Sequence, residues 1–530
     1  MLHDIVLDKT FSYMKKYLLF SFLLSTAALL HAQVPEDVLR YSFFPQNGNA
    51  RSLAIGGAMG SLGGDINATF VNPAGLGNYK TGEFVFTPGF FLNNNKADFR
   101  DTRTKNKKNN FNLGQIGIVY GVSSRYHPSS SQAISLAVTQ VANYNNNIHY
   151  QGYNNYSSYA EQWAEEISKS QLDFDQVLNA PQYAYGSGPA VYTYLVDTFR
   201  TNSSLVVKSL PELLLAGNKA LLQEKTISTS GGMYELALGY AYNQKDKLLI
   251  GGSLGIPIVN YNNKTTFKES DTSANADNDF GYFTYTDNYK TTGAGVNLKL
   301  GMIYRPTEYV RLGIAVHTPS YMFALKDQRN SSLEVQAEKY RGNGDTVRTI
   351  SSNDFFPPGE SKYTMLTPWK LMISGSYVFR EVEDVRKQKG FISADIEYVY
   401  HRGSSFYSSN ENPDDTEIEY FKSLNKVIRG EYKGNFNFRA GGELKFNTIM
   451  TRLGFAYYTN PYKDKALKAN RMLLSGGLGY RHKGFFIDLT YVHSFNKDVD
   501  FAYRLQDKDN TFATVKNQRG NIIASIGFKF

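Results

Sequence analysis

Long segments of this chain alternate apolar and polar residues with a period of two, and this alternation constrains the fold more than any other feature. In 391–400, apolar or aromatic residues at the even positions alternate with Ser393, Asp395 and Glu397. The same alternation occurs in 297–305, 435–447 and 485–495. Because successive side chains of a β-strand point to opposite faces, each segment predicts a strand with one apolar and one polar face.

The lengths and ends of these segments favour a transmembrane barrel, although a soluble sandwich would give the same alternation in any one strand. The segments exceed the ~5–6 residues of a typical soluble strand. Aromatic residues cluster near strand ends, as at Tyr457–Tyr458 and Phe485–Phe486, where membrane barrels carry interfacial girdles. Short turns at 305–308 and 481–484 alternate with long polar loops such as 402–430. A closed barrel leaves no backbone polar group unpaired in lipid.

Fourteen strands are predicted, an even number that places both ends of an antiparallel barrel on one side. Their starts are expected near Glu83, Phe111, Gln132, Thr229, Lys247, Asn288, Tyr309, Thr364, Gly390, Tyr432, Thr448, Arg471, Phe485 and Asn521. The stretches 280–286 and 333–349 are expected to extend strands beyond the membrane or to form loop hairpins. The barrel is predicted to occupy 81–530, including an extracellular helical loop at 157–226.

The last predicted strand ends on an aromatic residue. Ile522, Ala524, Ile526, Phe528 and Phe530 lie on one face of it. This ending resembles the assembly signal of bacterial outer-membrane barrels. The resemblance implies that Phe530 is recognised by the barrel assembly machinery.

The first 32 residues predict an export signal. Lys15 and Lys16 precede an apolar stretch at 17–30, and the small residue Ala32 follows, which is the order of parts in a secretory signal peptide. We expect cleavage after Ala32, with 1–13 as an N-terminal extension. A retained membrane anchor is the alternative.

Composition and motifs predict a protein without catalytic residues, cofactor or metal. The absence of cysteine excludes disulfides, thiolate metal sites and a cysteine nucleophile. The eight histidines show no paired metal-ligand spacing. The letters of a Gly-x-Ser-x-Gly elbow occur at 251–255, but this stretch lies in a predicted strand, whereas the elbow needs a strand-to-helix turn.

The charged residues of the predicted strands are expected to form internal ion pairs. The net charge of +9 is spread along the chain in both signs, which argues against nucleic-acid binding. The carboxylates expected on the luminal face are Asp395, Glu397, Glu443 and Asp488. Their predicted partners are Arg439, Lys445, Lys299 or the segment before the first strand.

Residues 33–80 precede the strands and do not share their pattern. Glycines are clustered at 56–64, and Pro73 follows in a run of small residues. Glycine permits close backbone approach and positive φ, and proline fixes its own φ. The segment therefore predicts a compact plug inside the lumen, with a loose periplasmic lead-in as the alternative.

Residues 65–76 of this segment resemble the N-terminal hatch of the FadL/TodX family of outer-membrane channels for hydrophobic compounds. The triplet Asn72-Pro73-Ala74 matches that family's Asn-Pro-Ala signature, and 311–319 and 367–371 are similar to its Ser/Thr-Pro and Pro-Trp segments. The resemblance implies a barrel plugged by its own N-terminus that moves long-chain fatty acids or other apolar molecules. It assigns plugging and gating to Asp65, Asn67, Asn72, Pro73 and Ala74. We expect the Asn72 amide to bond backbone groups of the wall.

The segment 157–226 also breaks the strand pattern. Tyr159, Trp163 and Ile167 recur at helical spacing, and 205–222 is rich in leucine, so amphipathic helices are predicted in an extracellular loop. In the resembling family a helical excursion here forms a first docking groove. Trp163, Leu213 and Leu214 are therefore the candidates for an exposed ligand-binding patch, and a rigid cap is the alternative.

Three functions follow from these predictions. The favoured one is passive, plug-gated uptake of hydrophobic small molecules such as long-chain fatty acids by a barrel in the bacterial outer membrane, with the surrounding lipids and the assembly machinery as partners. The alternatives are a docking or secretion-associated barrel, with the helical loop as the contact, and a haem or polar-solute porin. An intact plug with an apolar pocket favours uptake, whereas a charged lumen without a plug favours a porin.

Overall fold

The computed structural model describes residues 37–123, 126–201, 204–217, 219–273, 275, 278–336, 347–379, 389–465, 467 and 469–530. The predicted signal peptide at 1–32 lies outside these ranges, so its cleavage stays a prediction. Within them, no helix is both long enough and apolar enough to cross a membrane.

Strands make up most of the described chain. They are β1 (Glu83–Phe99), β2 (Thr102–Ser123), β3 (Ser131–Asn143), β4 (Asn146–Asn154), β5 (Val196–Thr201), β6 (Ser204–Ser209), β7 (Leu221–Gln244), β8 (Leu248–Asp271), β9 (Tyr282–Tyr304), β10 (Val310–His317), β11 (Tyr321–Gln336), β12 (Val347–Ser351), β13 (Gly359–Leu366), β14 (Lys370–Phe379), β15 (Gly390–Tyr400), β16 (Ser405–Ser408), β17 (Gly434–Phe446), β18 (Ile449–Tyr458), β19 (Arg471–His482), β20 (Phe485–Phe501) and β21 (Phe512–Lys529).

Short helices lie before the first strand and between strands. They are α1 (Asp37–Arg40), α2 (Ala50–Ala54), α3 (Ala68–Val71), α4 (Glu161–Ser170), α5 (Phe174–Leu178), α6 (Ser187–Tyr192), α7 (Leu210–Ala216), α8 (Ser352–Phe355) and α9 (Asp415–Glu431). Single 3₁₀ turns occur at Pro73–Asn78, Pro181–Tyr183 and His401–Gly403.

Fourteen antiparallel strands close into a ring, which confirms the predicted fold class. Around the ring the order is β1, β2, β3, β7, β8, β9, β10, β14, β15, β17, β18, β19, β20 and β21. Pairing of β21 with β1, from Glu83 opposite Lys529 to Asp98 opposite Thr514, completes it. No strand in the ring is left with an unpaired edge, as lipid requires.

The two ends of the barrel differ. At one end, here called the turn end, strands are joined by tight connections such as Lys483–Gly484, both at positive φ, a geometry that suits two-residue hairpins. At the other end, the loop end, β2, β7, β9 and β21 begin at 102, 221, 282 and 512, well before their predicted starts. The extension of β2 at 102–110 is polar on both faces and carries no alternation, whereas those of β7, β9 and β21 bury apolar residues such as Leu221, Phe283 and Val515.

The outer surface of the ring has the character of a lipid-facing wall. Along β8, Ile250, Leu254 and Ile258 point outward and are exposed, whereas Leu249 and Val259 point inward and are fully buried. Aromatic side chains are exposed near both ends of the band: Tyr309, Phe485 and Phe528 at the turn end, and Tyr321, Trp369 and Phe436 at the loop end. An apolar band between aromatic girdles is typical of a membrane barrel.

The described residues of 157–220, between β4 and β7, cover the loop end and are here called the cap. Their structure differs in part from the predicted one. Of the leucine-rich 205–222, only α7 is helical, because 204–209 pairs with β5 in a separate two-stranded sheet and Leu221 already begins β7. The predicted polar loop 402–430 contains α9, which the sequence analysis missed. Phe421, Leu424 and Ile428 on α9 are buried against the barrel mouth.

Candidate functional site: the plug and the luminal cavity

Residues 37–80 form a plug inside the barrel lumen, held by hydrogen bonds from the wall. Wall hydroxyls donate to plug carbonyls at four places: Ser131 Oγ to Gly77 O (2.7 Å), Ser253 Oγ to Thr69 O (2.7 Å), Ser475 Oγ to Ala54 O (3.1 Å) and Thr490 Oγ1 to Ala50 O (2.7 Å). These donors come from four different strands, so the plug is fixed around its circumference. Each bond also satisfies a buried backbone carbonyl.

Asn72 lies where the plug meets β9 and β10. Its Nδ2 donates to Gly60 O within the plug (2.6 Å), and it approaches Met302 O and Ile314 O of the wall at 3.3 and 3.4 Å. Its Oδ1 accepts from Ala74 N (3.2 Å) and so caps the turn that begins at Pro73. The structure therefore contains the predicted bonds from the Asn72 amide to wall backbone, while a gating role stays a prediction.

Wall glycines let the plug approach closely. A Cβ at Gly301 would overlap Asn72 Oδ1, and one at Gly251 would lie 2.7 Å from Pro73 backbone atoms. The plug backbone likewise touches Gly313, through Gly60 O, at the next strand. Because any side chain at these positions would push the plug away, the wall and plug sequences fit each other.

Asp65 and Asn67 stabilise the plug internally. Asp65 Oδ1 accepts from Asn49 Nδ2 (2.5 Å) and Asn67 N (2.9 Å), and Arg51 Nη1 lies 3.5 Å from Asp65 Oδ2. Asn67 Nδ2 donates to Ser52 Oγ (2.7 Å). Both side chains are buried and join the two halves of the plug, and Asn67 Oδ1 also accepts from Gln115 Nε2 of β2 (3.4 Å).

The predicted luminal carboxylates are paired. Arg452 bonds Glu443 (2.6 Å) and Asp488 (2.5 Å), and Arg51 of the plug lies 3.7 Å from Glu443.

Arg439 lies 3.1 Å from Glu397 and 3.9 Å from Asp395, whose Oδ2 also accepts from Gly60 N of the plug. Lys299 pairs with Glu235 instead of with any of the four predicted carboxylates. These buried pairs line the wall around the plug.

A cavity of about 420 Å³ lies on the loop side of the plug. Its floor comes from the plug and is mostly apolar, with Arg40, Gln46 and Asn47 beside the apolar residues, and its wall combines apolar side chains with asparagines, Asp498 and two arginines. The plug contributes Leu39, Phe43, Phe44, Pro45 and Leu53, and the wall contributes Phe91, Val141, Ala142, Leu473 and Val492. This volume lies within the range of small-molecule sites.

Two arginines of the wall face the same cavity, in addition to Arg40 of the plug, which pairs with Asp37. Arg471 donates from Nη1 to Phe43 O (2.8 Å), and its guanidinium lies 4.4 Å from the centre of the Phe43 ring. The Nε of Arg519 is buried without a hydrogen-bond partner among the described residues. Neither residue was assigned a role from the sequence. The only feature that could have indicated one is a cationic residue on the luminal face of a strand, near its loop end.

The wall is irregular beside this cavity, on β3. Val141 forms a bulge between Gln140 and Ala142, and the strand is interrupted between Asn143 and Asn146. Pairing of β3 with β2 stops at Thr139. Val141, Ala142 and Asn143 all line the cavity, so the cavity extends to a break in the regular wall.

The three residues predicted to form an exposed ligand patch are mostly buried. Trp163 is 5% exposed and Leu214 is 6% exposed, whereas Leu213 is 38% exposed. Trp163 packs against Tyr159 and Tyr285, with ring centres 5.1 and 5.2 Å apart. The predicted exposure is wrong for Trp163 and Leu214, because the cap has its own apolar core. Ligand binding at these residues stays a prediction, with free surface only at Leu213.

A buried polar cluster anchors the cap to the strand extensions. Glu269 of β8 is fully buried and accepts from Tyr159 N (3.2 Å), Gln223 Nε2 (2.7 Å) and Ser158 Oγ. Burial raises the pKa of Glu269 to about 7, since desolvation disfavours the charged carboxylate.

The one match to a catalytic motif is engaged in structure. Gly251–Gly255 lies inside β8, as predicted, and Ser253 Oγ bonds the plug, so the stretch lacks the turn of a nucleophile elbow. In the described ranges no cluster of three His, Asp or Glu side chains is arranged to hold a metal ion.

Comparisons with solved structures place this architecture among known barrels. The toluene transporter TodX of P. putida aligns over 92% of this chain and 99% of its own, with 13% identity and a TM-score of 0.50. The toluene transporter TbuX of Ralstonia pickettii aligns over 92% and 100%, with 16% identity and a TM-score of 0.50. The chain has the fold of these transporters.

A FadL homologue of Pseudomonas aeruginosa aligns over 91% of this chain and 99% of its own, at 13% identity and a TM-score of 0.49. Neither a family model nor a curated protein matches the sequence. The resemblance to the FadL/TodX family is thus confirmed at the level of the fold. At such low identity, substrate has to be argued from the site itself.

Proposed function

We propose that this protein is a channel of the bacterial outer membrane that takes up apolar small molecules, long-chain fatty acids among them. The observation that carries the proposal is the cavity with a mostly apolar floor directly above the plug. An apolar molecule gains ~0.8 kcal/mol for each CH₂ group that it buries. A cavity reached from the loop end would collect such molecules from outside.

The arginines extend the proposal to ligands with a carboxylate. Arg471 and Arg519 lie on β19 and β21, on either side of β20, and both line the cavity. Arginine is suited to carboxylate recognition because its planar guanidinium can donate two parallel hydrogen bonds. A fatty acid would place its carboxylate here and its chain against Phe43, Phe44 and Leu53.

Release sideways, through the wall at β3, agrees better with the charges than release along the barrel axis. Beneath the cavity, a second, small cavity is lined by Glu235, Lys299, Lys370, Glu397 and Arg439. An apolar chain moving past these charged groups would displace their polar partners and water, which costs a large amount of free energy. The interruption of β3 beside Val141 is an irregularity of the wall that borders the cavity, and we place the exit there.

The plug also weighs against a polar-solute porin. It fills the lumen and bonds several strands, whereas porins keep a water-filled channel. The toluene transporters TodX and TbuX share the fold, which supports a hydrophobic cargo.

Uptake measured with a blocked cavity tests the proposal. Leu473 points into the cavity and Leu474, the next residue, points to lipid. We expect Leu473→Trp to reduce uptake of labelled oleate and toluene at least fivefold, and Leu474→Trp to leave both unchanged, in cells with matched surface levels. Equal uptake by the two variants would contradict the proposal.

The arginines are tested separately. Arg471→Gln combined with Arg519→Gln should reduce uptake of oleate but not of toluene, because toluene has no carboxylate. Loss of both activities, or of neither, would count against carboxylate recognition without affecting the cavity itself.

A further inference from the structure

Four lysines lie in one line across the outside of the barrel. Lys96 of β1 is directly opposite Lys105 of β2 and Lys516 of β21, and Lys516 is opposite Lys497 of β20. All four side chains are exposed, while Asn95 and Ala97, the neighbours of Lys96 on the inner face, are buried. Lys105, Lys96, Lys516 and Lys497 are here called the lysine row.

The lysine row lies just beyond the apolar band. On the same face of β1, Phe86, Phe90 and Leu92 precede Lys96, and Leu92 is the last apolar residue of that face. Four residues of strand separate Leu92 from Lys96, about 13 Å along the strand, or about 10 Å along the barrel axis at a tilt near 40°. On β20 the outward residue before Lys497 is the exposed Phe495. The row therefore lies at the outer edge of the headgroup layer, which is ~5–7 Å thick on each side of the core, and the lysine stems can reach back into it.

The row has few carboxylates near it. On the next line of outward residues, Asp98 bonds Arg103 (2.5 Å) and lies 3.8 Å from Lys516. In the described part of the chain no carboxylate lies within 4 Å of the amines of Lys96, Lys105 or Lys497. Lys107, one line nearer the membrane, adds a further exposed cation.

Several lysines elsewhere on the outer face have a carboxylate beside them. Lys268 of β8 is directly opposite Glu224 of β7. Lys326 of β11 pairs with Glu360 of β13 at 2.6 Å, and Lys362 lies 3.6 Å from the same carboxylate. Lys264 and Lys290 have no carboxylate opposite them, but neither faces another lysine. The run of four facing lysines is therefore a property of the sector formed by β20, β21, β1 and β2.

Like charges directly opposite each other destabilise a sheet. Adjacent strands are ~4.8 Å apart, so the row holds four ammonium groups within about 15 Å. This repulsion would be relieved by anions bound between the lysines, and at this height the available anions are lipid headgroups. A lysine near an anionic membrane surface contributes about 1 kcal/mol of attraction.

We propose that the lysine row binds the phosphate groups of lipids in the outer leaflet around the barrel. The bound lipids would be the part of the lipid annulus that lies next to β20, β21, β1 and β2. The inference requires the barrel to sit in a membrane, but it does not depend on the transport activity or on the luminal cavity.

Binding of lipids with and without a free anionic charge tests the proposal. The full-length protein is purified in a neutral detergent, and bound lipid is counted by native mass spectrometry with lipid A, phosphatidylglycerol or phosphatidylcholine. We expect wild type to retain the first two, and the variant with all four row lysines changed to Gln to lose affinity for them about tenfold or more.

A matched control removes the same charge elsewhere. Lys268→Gln, Lys290→Gln, Lys326→Gln and Lys362→Gln together should retain wild-type lipid binding. Equal binding by the row variant and this control, or equal binding of phosphatidylglycerol and phosphatidylcholine to wild type, would overturn the proposal.

Thermal unfolding distinguishes whether the lysine row binds lipid or only contacts solvent. Without anionic lipid, the row variant should unfold at a higher temperature than wild type, because the repulsion is gone. On addition of lipid A, wild type should gain more stability than the variant, and an equal gain would overturn the proposal. If the quadruple variant does not fold, Lys96→Gln with Lys516→Gln tests the two central positions in the same way.

Discussion

Asn72 joins the plug to two strands of the wall through one side-chain amide. Its contacts to Gly60, Met302 and Ile314 all go to backbone carbonyls, so they do not depend on the side chains at those positions. The Asn-Pro-Ala triplet could be picked out in the sequence, and the bond to the wall was predicted from it. Gly301, which makes room for the amide, could not be identified in this way, because it lies far along the chain on an ordinary strand.

Replacement of Asn72 should loosen the plug without unfolding the barrel. Removal of these bonds in Asn72→Ala should weaken plug docking by ~1–2 kcal/mol, which raises a detached population roughly tenfold. We expect altered oleate uptake and faster entry of a small polar dye, measured in cells with equal amounts of heat-modifiable barrel. Wild-type behaviour in both assays would show that this amide does not control the plug.

The same contact can be broken from the wall side. Gly301→Ala should resemble Asn72→Ala, since its Cβ would overlap the Asn72 amide. Gly375→Ala is the matched control, because a Cβ at Gly375 meets open space on the outer face.

Glu269 gives the cap a dependence on pH. Its pKa in the folded protein is about 7, above its ordinary value of 4.5, so the folded cap holds a proton that the unfolded cap releases. Stability is therefore fully present below pH 4.5 and is lost as pH rises toward 7. We expect the protection of 157–170 against hydrogen exchange, corrected for the base-catalysed intrinsic rate at each pH, to be lower at pH 8 than at pH 5, and Glu269→Gln to abolish most of that difference. An equal pH response in the variant would assign it to another group.

At the scale of elements, the cap helix α4 is packed by its aromatic face. Trp163 and Leu214 belong to one apolar cluster, with Phe267 and Phe283 of the strand extensions. Trp163→Ser or Leu214→Ser should destabilise the cap by ~3 kcal/mol or more, and limited proteolysis within 157–226 should become rapid. Leu213→Ser, on the exposed side of the same turn, should leave the proteolysis pattern unchanged. Equal sensitivity of all three variants would mean that the cap does not form this core.

Alternation predicts a strand only where its two faces meet different surroundings. It placed β8 and β20 correctly, because lipid lies on one side of them and the plug on the other. It failed at Thr102–Asn110 of β2, where both faces are polar beyond the membrane. The helix α9 was missed inside a polar loop, although Phe421, Leu424 and Ile428 follow helical spacing.

At the scale of the whole molecule, the cavity could not be predicted because no local pattern encodes it. Leu39 of the plug, Phe91 of β1 and Leu473 of β19 meet only when the ring closes. The plug and the number of strands could be predicted from the sequence. A plug shorter than the barrel implies that some space remains above it. The volume of the cavity and the two arginines of its wall depend on the register of the strands.

Closure of the ring also depends on the last residue. Phe530 N donates to Gly82 O (3.0 Å), and Gly82 N donates to Phe530 O (2.8 Å), so these two bonds finish the pairing of β21 with β1. The Phe530 ring packs over Gly82 and lies 6.3 Å from the ring of Phe528. Deletion of Phe530 removes both backbone bonds and the terminal aromatic ring. We expect it to lower the amount of folded, heat-modifiable barrel in the outer-membrane fraction several-fold.

Two substitutions at this position distinguish recognition by the assembly machinery from seam closure. Phe530→Ser keeps the backbone bonds but removes the ring, and Phe530→Tyr keeps both. If the assembly machinery recognises the aromatic ring, Phe530→Ser should accumulate as poorly as the deletion in cells, yet refold as well as Phe530→Tyr from urea into detergent. If the ring only stabilises the seam, Phe530→Ser should fail in both settings. Normal accumulation of Phe530→Ser in cells would remove the assembly role, since the backbone bonds alone would then suffice.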